Sequence, residues 1–223
     1  MSKKIKKSSY ARSRFWQASI IVVFLLVCVA FIWLDRGLIL RKLRRQPQTS
    51  EQARTRNDIE KYHAKTFTVI NIVDGDTIDI DIADGQYEHT RIRLWGVDAP
   101  ETKNPKTEPM YFGPQATGFT KGLALGKKIT VYLDKGNRSR GKYGRLLAYV
   151  QLPDGRFLNE VLLAEGFAYA DLRFSHSFYN KYKQLEASAR SGKKGLWANV
   201  TREQLPEWLQ RMRPKLLEKE KVE

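Results

Sequence analysis

The middle of the chain alternates between apolar and polar residues, and this period predicts a series of short β-strands. The alternation is strict in residues 77–82, where three isoleucines fall on one face, and it recurs in residues 91–95 and 128–133. Residues 66–73 are rich in β-branched side chains, and residues 145–152 make a fifth candidate strand. Glycine-containing turn sequences separate the first three segments, so we expect these to form a meander.

Three later segments have the composition and boundary residues of α-helices. Residues 113–125 begin with Gly113 and Pro114, and proline suits a first turn because a helix does not use that N–H group. Residues 159–165 and 178–191 are each followed by a glycine, which often ends a helix.

The order of these elements predicts the fold class. Five strands with a helix after the third and further helices at the end indicate a mainly β, α+β domain over residues 65–199. Its expected form is a five-stranded Greek-key barrel of the OB type with about three helices. Residues 200–223 are interpreted as a polar tail, with enough apolar residues near Trp208 for one short helix.

A long apolar run precedes the barrel. Residues 15–34 contain two polar interruptions and are long enough to form a transmembrane helix. A basic segment, residues 1–14, precedes the run, and a charged spacer, residues 35–64, follows it. We therefore expect a single-pass membrane protein with a cytoplasmic N-terminus and an extracytoplasmic barrel. The alternative is a signal peptide that is cleaved near Ala30 and yields a secreted domain.

Charge and cysteine content narrow the function classes. The chain has a formal net charge of +16, and residues 1–64 hold 14 of the Lys and Arg residues against 4 Asp and Glu. The net positive charge on the rest of the chain is moderate and suits a polyanionic partner, although basic surfaces are often simply solvated. Cys28 is the single cysteine, which excludes a disulfide framework and a thiolate metal site.

Two acidic clusters are candidates for a metal site. The first is Asp74-Gly75-Asp76, and the second, Asp98 with Glu101, follows the third predicted strand. Alternate turns of a meander fall at the same end of a sheet, so three or four carboxylates could converge there and would need a hard cation to neutralise them. Calcium fits such oxygen ligands better than zinc, since no Cys or His is nearby. The alternative for each cluster is an ordinary polar turn.

Basic residues supply the other half of a candidate site. Arg93 precedes the second acidic cluster on the same strand, and residues 138–145 form a glycine-containing loop with Lys142 and Arg145. Guanidinium groups bind phosphate oxygens in pairs and stay charged at any working pH. A solvated basic loop is the alternative, and the combination with carboxylates favours a site.

Several motifs, in order between residues 66 and 197, resemble the staphylococcal nuclease (thermonuclease) family. They are Val73-Asp74-Gly75-Asp76-Thr77, Arg93-Leu94, Val97-Asp98-Ala99-Pro100-Glu101-Thr102, Tyr111-Phe112-Gly113-Pro114-Gln115-Ala116, Lys142-Tyr143-Gly144-Arg145 and Gly195-Leu196-Trp197. The resemblance implies an OB barrel with three helices. It also implies a calcium-dependent phosphodiesterase that cuts DNA and RNA and leaves 3′-phosphate ends.

The resemblance also implies residue roles. The implied metal ligands are the carboxylates of Asp76 and Asp98 and the backbone carbonyl of Ala99. The implied catalytic residues are Arg93, Glu101 and Arg145, and the implied nucleotide-bordering residues are Lys142 and Tyr143.

Two departures from the family pattern affect substrate contacts. Ala99 replaces a threonine, which matters little if the backbone carbonyl is the ligand. A tyrosine that stacks near the substrate base is expected around Leu172 and is missing, so Tyr169 or Phe174 is expected to take its place.

Two other functions compete with a nuclease. One is a non-catalytic OB module that binds single-stranded nucleic acid, and the other is a scaffold tethered to a membrane through residues 15–34. Retention of all the implied catalytic and metal-binding side chains favours the enzyme. DNA or RNA is the expected partner, and no protein partner can be inferred.

Overall fold

A computed structural model describes residues 50–102 and 108–217 of the chain. The predicted transmembrane helix, the basic segment before it and the first part of the spacer lie outside these residues. Within the described ranges, no helix has both the length and the apolar composition needed to cross a membrane.

Five strands close into a barrel, which confirms that prediction. They are β1 (Lys65–Asp74), β2 (Thr77–Ile80), β3 (Thr90–Leu94), β5 (Lys128–Tyr132) and β6 (Leu146–Gln151). Their order around the barrel is β1-β2-β3-β6-β5, with β5 pairing back to β1. The β3–β6 pair is parallel and the other pairs are antiparallel. This closed mixed barrel is consistent with the OB type.

Two further strands form a small separate sheet that the sequence did not predict. The strand β4 (Val97–Asp98) pairs antiparallel with β7 (Tyr169–Ala170). Each has two residues, too few for a periodic pattern to be recognised. This sheet positions Asp98 beside the end of β3.

The strand pattern explains which residues fill the barrel. The isoleucines of β2, Ile78 and Ile80, are fully buried, as is Ile92 of β3. The opposite face of β2 is also covered, because Asp79 is 1% exposed and accepts hydrogen bonds from the guanidinium of Arg91 at 2.8 and 3.0 Å. Asp79 therefore lies on the face of the sheet opposite the isoleucines, but it is not solvated.

The described residues contain five α-helices, three of them within the predicted barrel domain. Three lie where the sequence predicts them: α2 (Gly113–Ala124), α3 (Leu158–Ala164) and α4 (Tyr179–Ser191). Helix α5 (Glu207–Met212) is the short helix expected near Trp208, and α1 (Ser50–Tyr62) lies in the predicted spacer. Short 3-10 helices at Gly195–Ala198 and Arg202–Gln204 connect α4 to α5.

Helix α1 packs on the barrel although its sequence suggested a spacer that is at most partly helical. It is strongly polar, and its two buried side chains are Asp58 and Tyr62. The Tyr62 ring is fully buried, and its hydroxyl is 3.0 Å from the hydroxyl of Thr90 in β3. So few buried positions give no apolar stripe in the sequence, which is why pattern reasoning missed the packing.

Candidate active site

A glycine turn connects the strand that carries Arg93 to the short strand that carries Asp98. Arg93 lies in β3, and Asp98 ends β4. Gly96 between them has a φ of 77°, and a Cβ at this position would lie 2.5 Å from the His176 ring. The turn therefore needs glycine for its backbone conformation and for space.

The acidic turn between β1 and β2 packs against the same region. A Cβ on Gly75 would lie 2.6 Å from the Cβ of Ala99, so the two segments approach closely. Thr120 of α2 holds the turn, since its hydroxyl donates a hydrogen bond to the Gly75 carbonyl at 2.6 Å. The structure thus brings Asp76 and Asp98 together, as expected for alternate turns at the same end of a meander.

Arg93 lies between these two carboxylates. Its Nη1 forms an ion pair with Asp76 Oδ2, and its Nη2 forms one with Asp98 Oδ1. Asp76 is buried and also accepts the backbone N–H of Ala99 at 2.5 Å and the hydroxyl of Thr77 at 3.0 Å. A single guanidinium therefore offsets the repulsion between two adjacent carboxylates.

The four carboxylates of the two acidic clusters, Asp74, Asp76, Asp98 and Glu101, line a common cavity, as expected. Within residues 50–102 and 108–217, no group of three or more His, Cys, Asp or Glu side chains is arranged to hold a metal ion. Asp74 also stabilises its own turn, because its Oδ1 accepts the Asp76 backbone N–H at 3.1 Å. The carboxylates of Asp76 and Asp98 supply only oxygen donors, and this chemistry fits a hard cation such as calcium.

All eight predicted site residues line one cavity of about 430 Å³. They are Asp76, Arg93, Asp98, Ala99, Glu101, Lys142, Tyr143 and Arg145. They come from the β1–β2 turn, the β3–β4 region and the loop before β6, which are distant in sequence. The parallel pairing of β3 with β6 brings the basic loop before β6 into the same cavity as the carboxylates.

The second half of the basic loop presents Lys142 and Tyr143 to solvent. Gly144, with a φ of 75°, allows a tight turn in which the Gly144 N–H donates to the Gly141 carbonyl at 3.0 Å. Tyr143 is 76% exposed, and the Arg145 guanidinium and the Lys142 ammonium lie 5.8 and 5.5 Å from its ring centre. These three side chains are therefore accessible to a ligand in the cavity.

Glu101 lies at the exposed rim of the cavity, next to the undescribed residues 103–107. Its Oε1 accepts the backbone N–H of Thr102 at 3.1 Å. A carboxylate in this position can reach both the solvent and the cavity, which is what a group that activates water needs.

Arg173 is a cavity residue that the sequence analysis missed. Its Nη2 is 3.7 Å from Asp98 Oδ1, and its Nε and Nη2 donate to the carboxylate of Asp171 at 2.7 and 2.8 Å. Burial opposes the charge, but the hydrogen bonds from Arg173 to Asp171 and the nearby Asp98 raise the pKa of the guanidinium overall. The segment matches no motif, although Asp171-Leu172-Arg173 offered a local charge pair as a signal.

Of the two aromatic residues expected to replace the missing tyrosine, Phe174 lines the cavity and Tyr169 does not. Tyr169 is fully buried in β7 and packs on Trp197, so the suggestion that it faces the substrate is wrong. Phe174 is 43% exposed and stacks on Trp95 with a centroid distance of 6.0 Å and an interplanar angle of 25°. The guanidinium of Arg173 lies 5.8 Å from the Phe174 ring centre.

Taken together, the closed barrel and its cavity define an OB-type domain whose site suits a phosphodiester. Arginines, a lysine and exposed aromatic rings can hold a polyanionic strand, and carboxylates lie at the centre of the same cavity.

Comparisons with known proteins agree with this class. The protein-family model described as "Staphylococcal nuclease homologue" matches residues 91–199. The thermonuclease of Staphylococcus hyicus is 38% identical over 136 residues, which cover 60% of this chain and 77% of that protein. Endonuclease YncB of Bacillus subtilis is 35% identical over 153 residues, or 68% of this chain and 70% of that protein. The thermonuclease of Staphylococcus intermedius is 37% identical over 134 residues, or 60% and 76%.

The chain belongs to the staphylococcal nuclease family. The family relationship confirms the resemblance and supports a nuclease function.

Proposed function

We propose that the chain is a calcium-dependent endonuclease that hydrolyses phosphodiester bonds of DNA and/or RNA and leaves 3′-phosphate ends. The observation that carries this proposal is the grouping of Asp76, Asp98 and Arg93 with Glu101 and Arg145 around one cavity.

Arg93 and Arg145 are assigned to the phosphate. Both are cavity residues, and a guanidinium offers two N–H groups in a fixed plane to two phosphate oxygens. Arg93 already forms ion pairs with Asp76 and Asp98, so substrate binding requires it to exchange part of these contacts for phosphate oxygens. Negative charge that develops on phosphorus in the transition state strengthens these hydrogen bonds.

Glu101 is assigned to the attacking water. Its carboxylate accepts a proton from the water whose oxygen attacks phosphorus. The bond to the 5′-oxygen then breaks, and the phosphate stays on the 3′ side. Arg145 stabilises the leaving 5′-oxygen, which takes up a proton from solvent water as it departs.

Asp76 and Asp98, with the Ala99 carbonyl, are assigned to calcium. When it is bound there, calcium would supply positive charge to a phosphate oxygen and make water more acidic. The two aspartates also hold the guanidinium of Arg93, one at Nη1 and the other at Nη2, so they orient the phosphate-binding group directly.

The surroundings of the cavity suit an extended strand rather than a small phosphate ester. A second polar cavity of about 370 Å³ shares Arg138, Gly141 and Lys142 with the first and continues to Arg54 and Thr55 of α1. Phe174, which is 43% exposed and stacks on the buried Trp95, offers an aromatic face for a base. We infer that the strand contacts Phe174, the carboxylate cavity and the polar cavity beside α1.

The test is digestion of single-stranded DNA and RNA by the full chain, with calcium and with a calcium chelator. Cleavage that requires calcium and yields 3′-phosphate ends is expected. Binding without cleavage would favour the non-catalytic OB module, and undiminished cutting in chelator would remove the calcium assignment of Asp76 and Asp98. We further propose that residues 15–34 anchor the protein in a membrane with the nuclease domain on the extracytoplasmic side.

A further inference from the structure

The segment after the barrel contacts one of the site carboxylates. The indole N–H of Trp208, in α5, donates a hydrogen bond to Asp98 Oδ2 at 2.8 Å, across 110 residues of sequence. The other oxygen of Asp98, Oδ1, pairs with Arg93 and lies 3.7 Å from Arg173 Nη2. The two carboxylate oxygens are therefore held by different partners on opposite sides.

The Trp208 ring is itself fixed in place. The Arg173 guanidinium lies 4.3 Å from the ring centre of Trp208, which is cation–π contact distance. Arg173 is held by two hydrogen bonds to Asp171. Because Trp208 and Arg173 approach Asp98 together, they form a support that limits rotation of its carboxylate.

The helix that carries Trp208 is anchored to the domain. Leu205 and Leu209 are buried in a cluster with Tyr169, Leu196 and Trp197. Arg213, just after α5, forms an ion pair with the fully buried Glu186 of α4. The segment is therefore built into the domain and does not lie loosely over the cavity.

We propose that Trp208 is a positioning residue that orients Asp98 for calcium binding and phosphodiester cleavage, an inference that rests on the proposed function. An indole N–H cannot ionise and leaves the charge of Asp98 intact, so it can fix the direction of the carboxylate without competing for its charge. Trp208 lies beyond residues 91–199, where the family model matches, so the assignment belongs to this chain's own C-terminal segment.

The substitution Trp208→Phe separates this role from simple packing. Phenylalanine keeps an aromatic ring for the leucine cluster and for Arg173 but removes the N–H donor. Trp197→Phe is the matched control, because Trp197 belongs to the same cluster and its indole N–H has no hydrogen-bond partner among the described residues. Loss of partners that orient a metal ligand typically reduces metal affinity or activity about 10–100-fold.

The experiment uses the full chain with single-stranded DNA. For Trp208→Phe we expect kcat to fall about 10-fold or more with little change in KM. The calcium concentration needed for the same increase in Tm should rise by a similar factor. Trp197→Phe should change neither quantity. Wild-type kcat and calcium response in a folded Trp208→Phe protein would overturn the inference alone. A wild-type chain that neither cleaves nor responds to calcium would overturn the proposed function and the inference together.

A thermodynamic cycle covers the case in which Trp208→Phe lowers activity through a general loss of stability. The variants are Trp208→Phe, Asp98→Ala, which removes the acceptor of the indole N–H, and the double substitution, with the free energy of unfolding measured for each. Non-additive effects are expected for residues that interact directly. Additive effects would show that Trp208 does not act through Asp98 and would overturn the inference.

Discussion

Arg140 and Asp58, which are 82 residues apart, are joined by two hydrogen bonds: Nε to Oδ2 at 2.8 Å and Nη2 to Oδ1 at 2.6 Å. The side chains are 12% and 8% exposed, so this pair is largely desolvated. Burial alone would lower the pKa of Arg140, but its hydrogen bonds to Asp58 and Asp84 raise it, and the guanidinium stays charged. The pair ties α1 to the loop that carries Lys142 and Tyr143.

We expect Asp58→Asn to destabilise the domain and to weaken substrate binding. Breaking a buried ion pair by removing one charge costs about 3–5 kcal/mol, and the cost here should lie near the lower value because Asp84 still pairs with Arg140. The free energy of unfolding from denaturant titration checks this, and KM should rise because the basic loop loses its support. Glu60→Gln is the control on the same helix, since Glu60 pairs with Arg56 at the exposed surface. Equal stability of the two variants would contradict the structural role of Asp58.

Arg54→Ala tests whether the substrate strand reaches α1. Arg54 lines the polar cavity that continues from the site, whereas Arg56 on the same helix pairs with Glu60 in solvent. Arg54→Ala should raise KM for long oligonucleotides and leave kcat unchanged. Because one phosphate contact is lost, the slope of log binding constant against log salt concentration should become shallower by about one. Arg56→Ala removes the same charge and should have a much smaller effect. The same KM for both variants would place the strand elsewhere.

The barrel and the carboxylate site could be predicted because their signals are local. Strict alternation marked β2 as a strand, and the glycine turns placed Asp76 and Asp98 at one end of the meander. The short pair β4–β7 and the packing of α1 could not be predicted in this way. Their residues are held by contacts with distant segments, and so few buried positions leave no periodic pattern.

The supporting contacts of the site were also beyond sequence reasoning. Trp208 meets Asp98, and Arg173 meets Trp208, only because α5 folds back on the small sheet. The apolar residues near Trp208 predicted a short helix, but their period does not tell which surface that helix covers. The residues that take part in the chemistry can therefore be predicted from sequence more readily than the residues that orient them.

The membrane anchor remains a prediction, and fractionation tests it. About twenty apolar residues insert into a bilayer far more firmly than a basic patch adsorbs to its surface, so residues 15–34 should keep the full chain in the membrane fraction. High-salt and alkaline washing should not release it. Recovery of a soluble product that lacks its first thirty or so residues would support a cleaved signal peptide instead.

Acid should weaken the domain through His176. This imidazole is 6% exposed, and burial lowers its pKa, although Asp134 and Asp171 partly oppose the shift. Its Nδ1 accepts the Phe178 backbone N–H at 3.2 Å, which requires the neutral ring. The folded state thus binds the proton less readily than the unfolded state does. The stability that the neutral ring contributes is present above the unfolded pKa of about 6.5 and is lost as pH falls below it.

Thermal unfolding between pH 8 and pH 5 measures this effect. The Tm should fall across this range, and His176→Asn should make the fall smaller, because an amide oxygen can accept the same backbone hydrogen bond without titrating. His89→Asn is the control, since the His89 side chain is 40% exposed. An unchanged pH profile in His176→Asn would mean that other groups cause the acid sensitivity.

Arg93→Lys should reduce turnover strongly although it keeps the charge. Arg93 uses two separate nitrogens, Nη1 toward Asp76 and Nη2 toward Asp98, and a single ammonium cannot reproduce this geometry. Loss of one oriented hydrogen-bond donor from a catalytic site typically lowers kcat by a factor of about 10²–10³. We expect a fall of this size in kcat on single-stranded DNA, and a similar one for Arg145→Lys.

Arg91→Lys is a matched control for Arg93→Lys. Arg91 lies two residues earlier on β3, and its guanidinium holds the buried Asp79 rather than a site residue. That hydrogen bonding and the charge on Arg91 lower the pKa of Asp79 despite its burial, so the pair contributes to stability at neutral pH. Arg91→Lys should therefore lower the free energy of unfolding and leave kcat near the wild-type value. If Arg93→Lys shows this same pattern instead, Arg93 serves to hold the strand, and the charge-stabilising half of the mechanism fails.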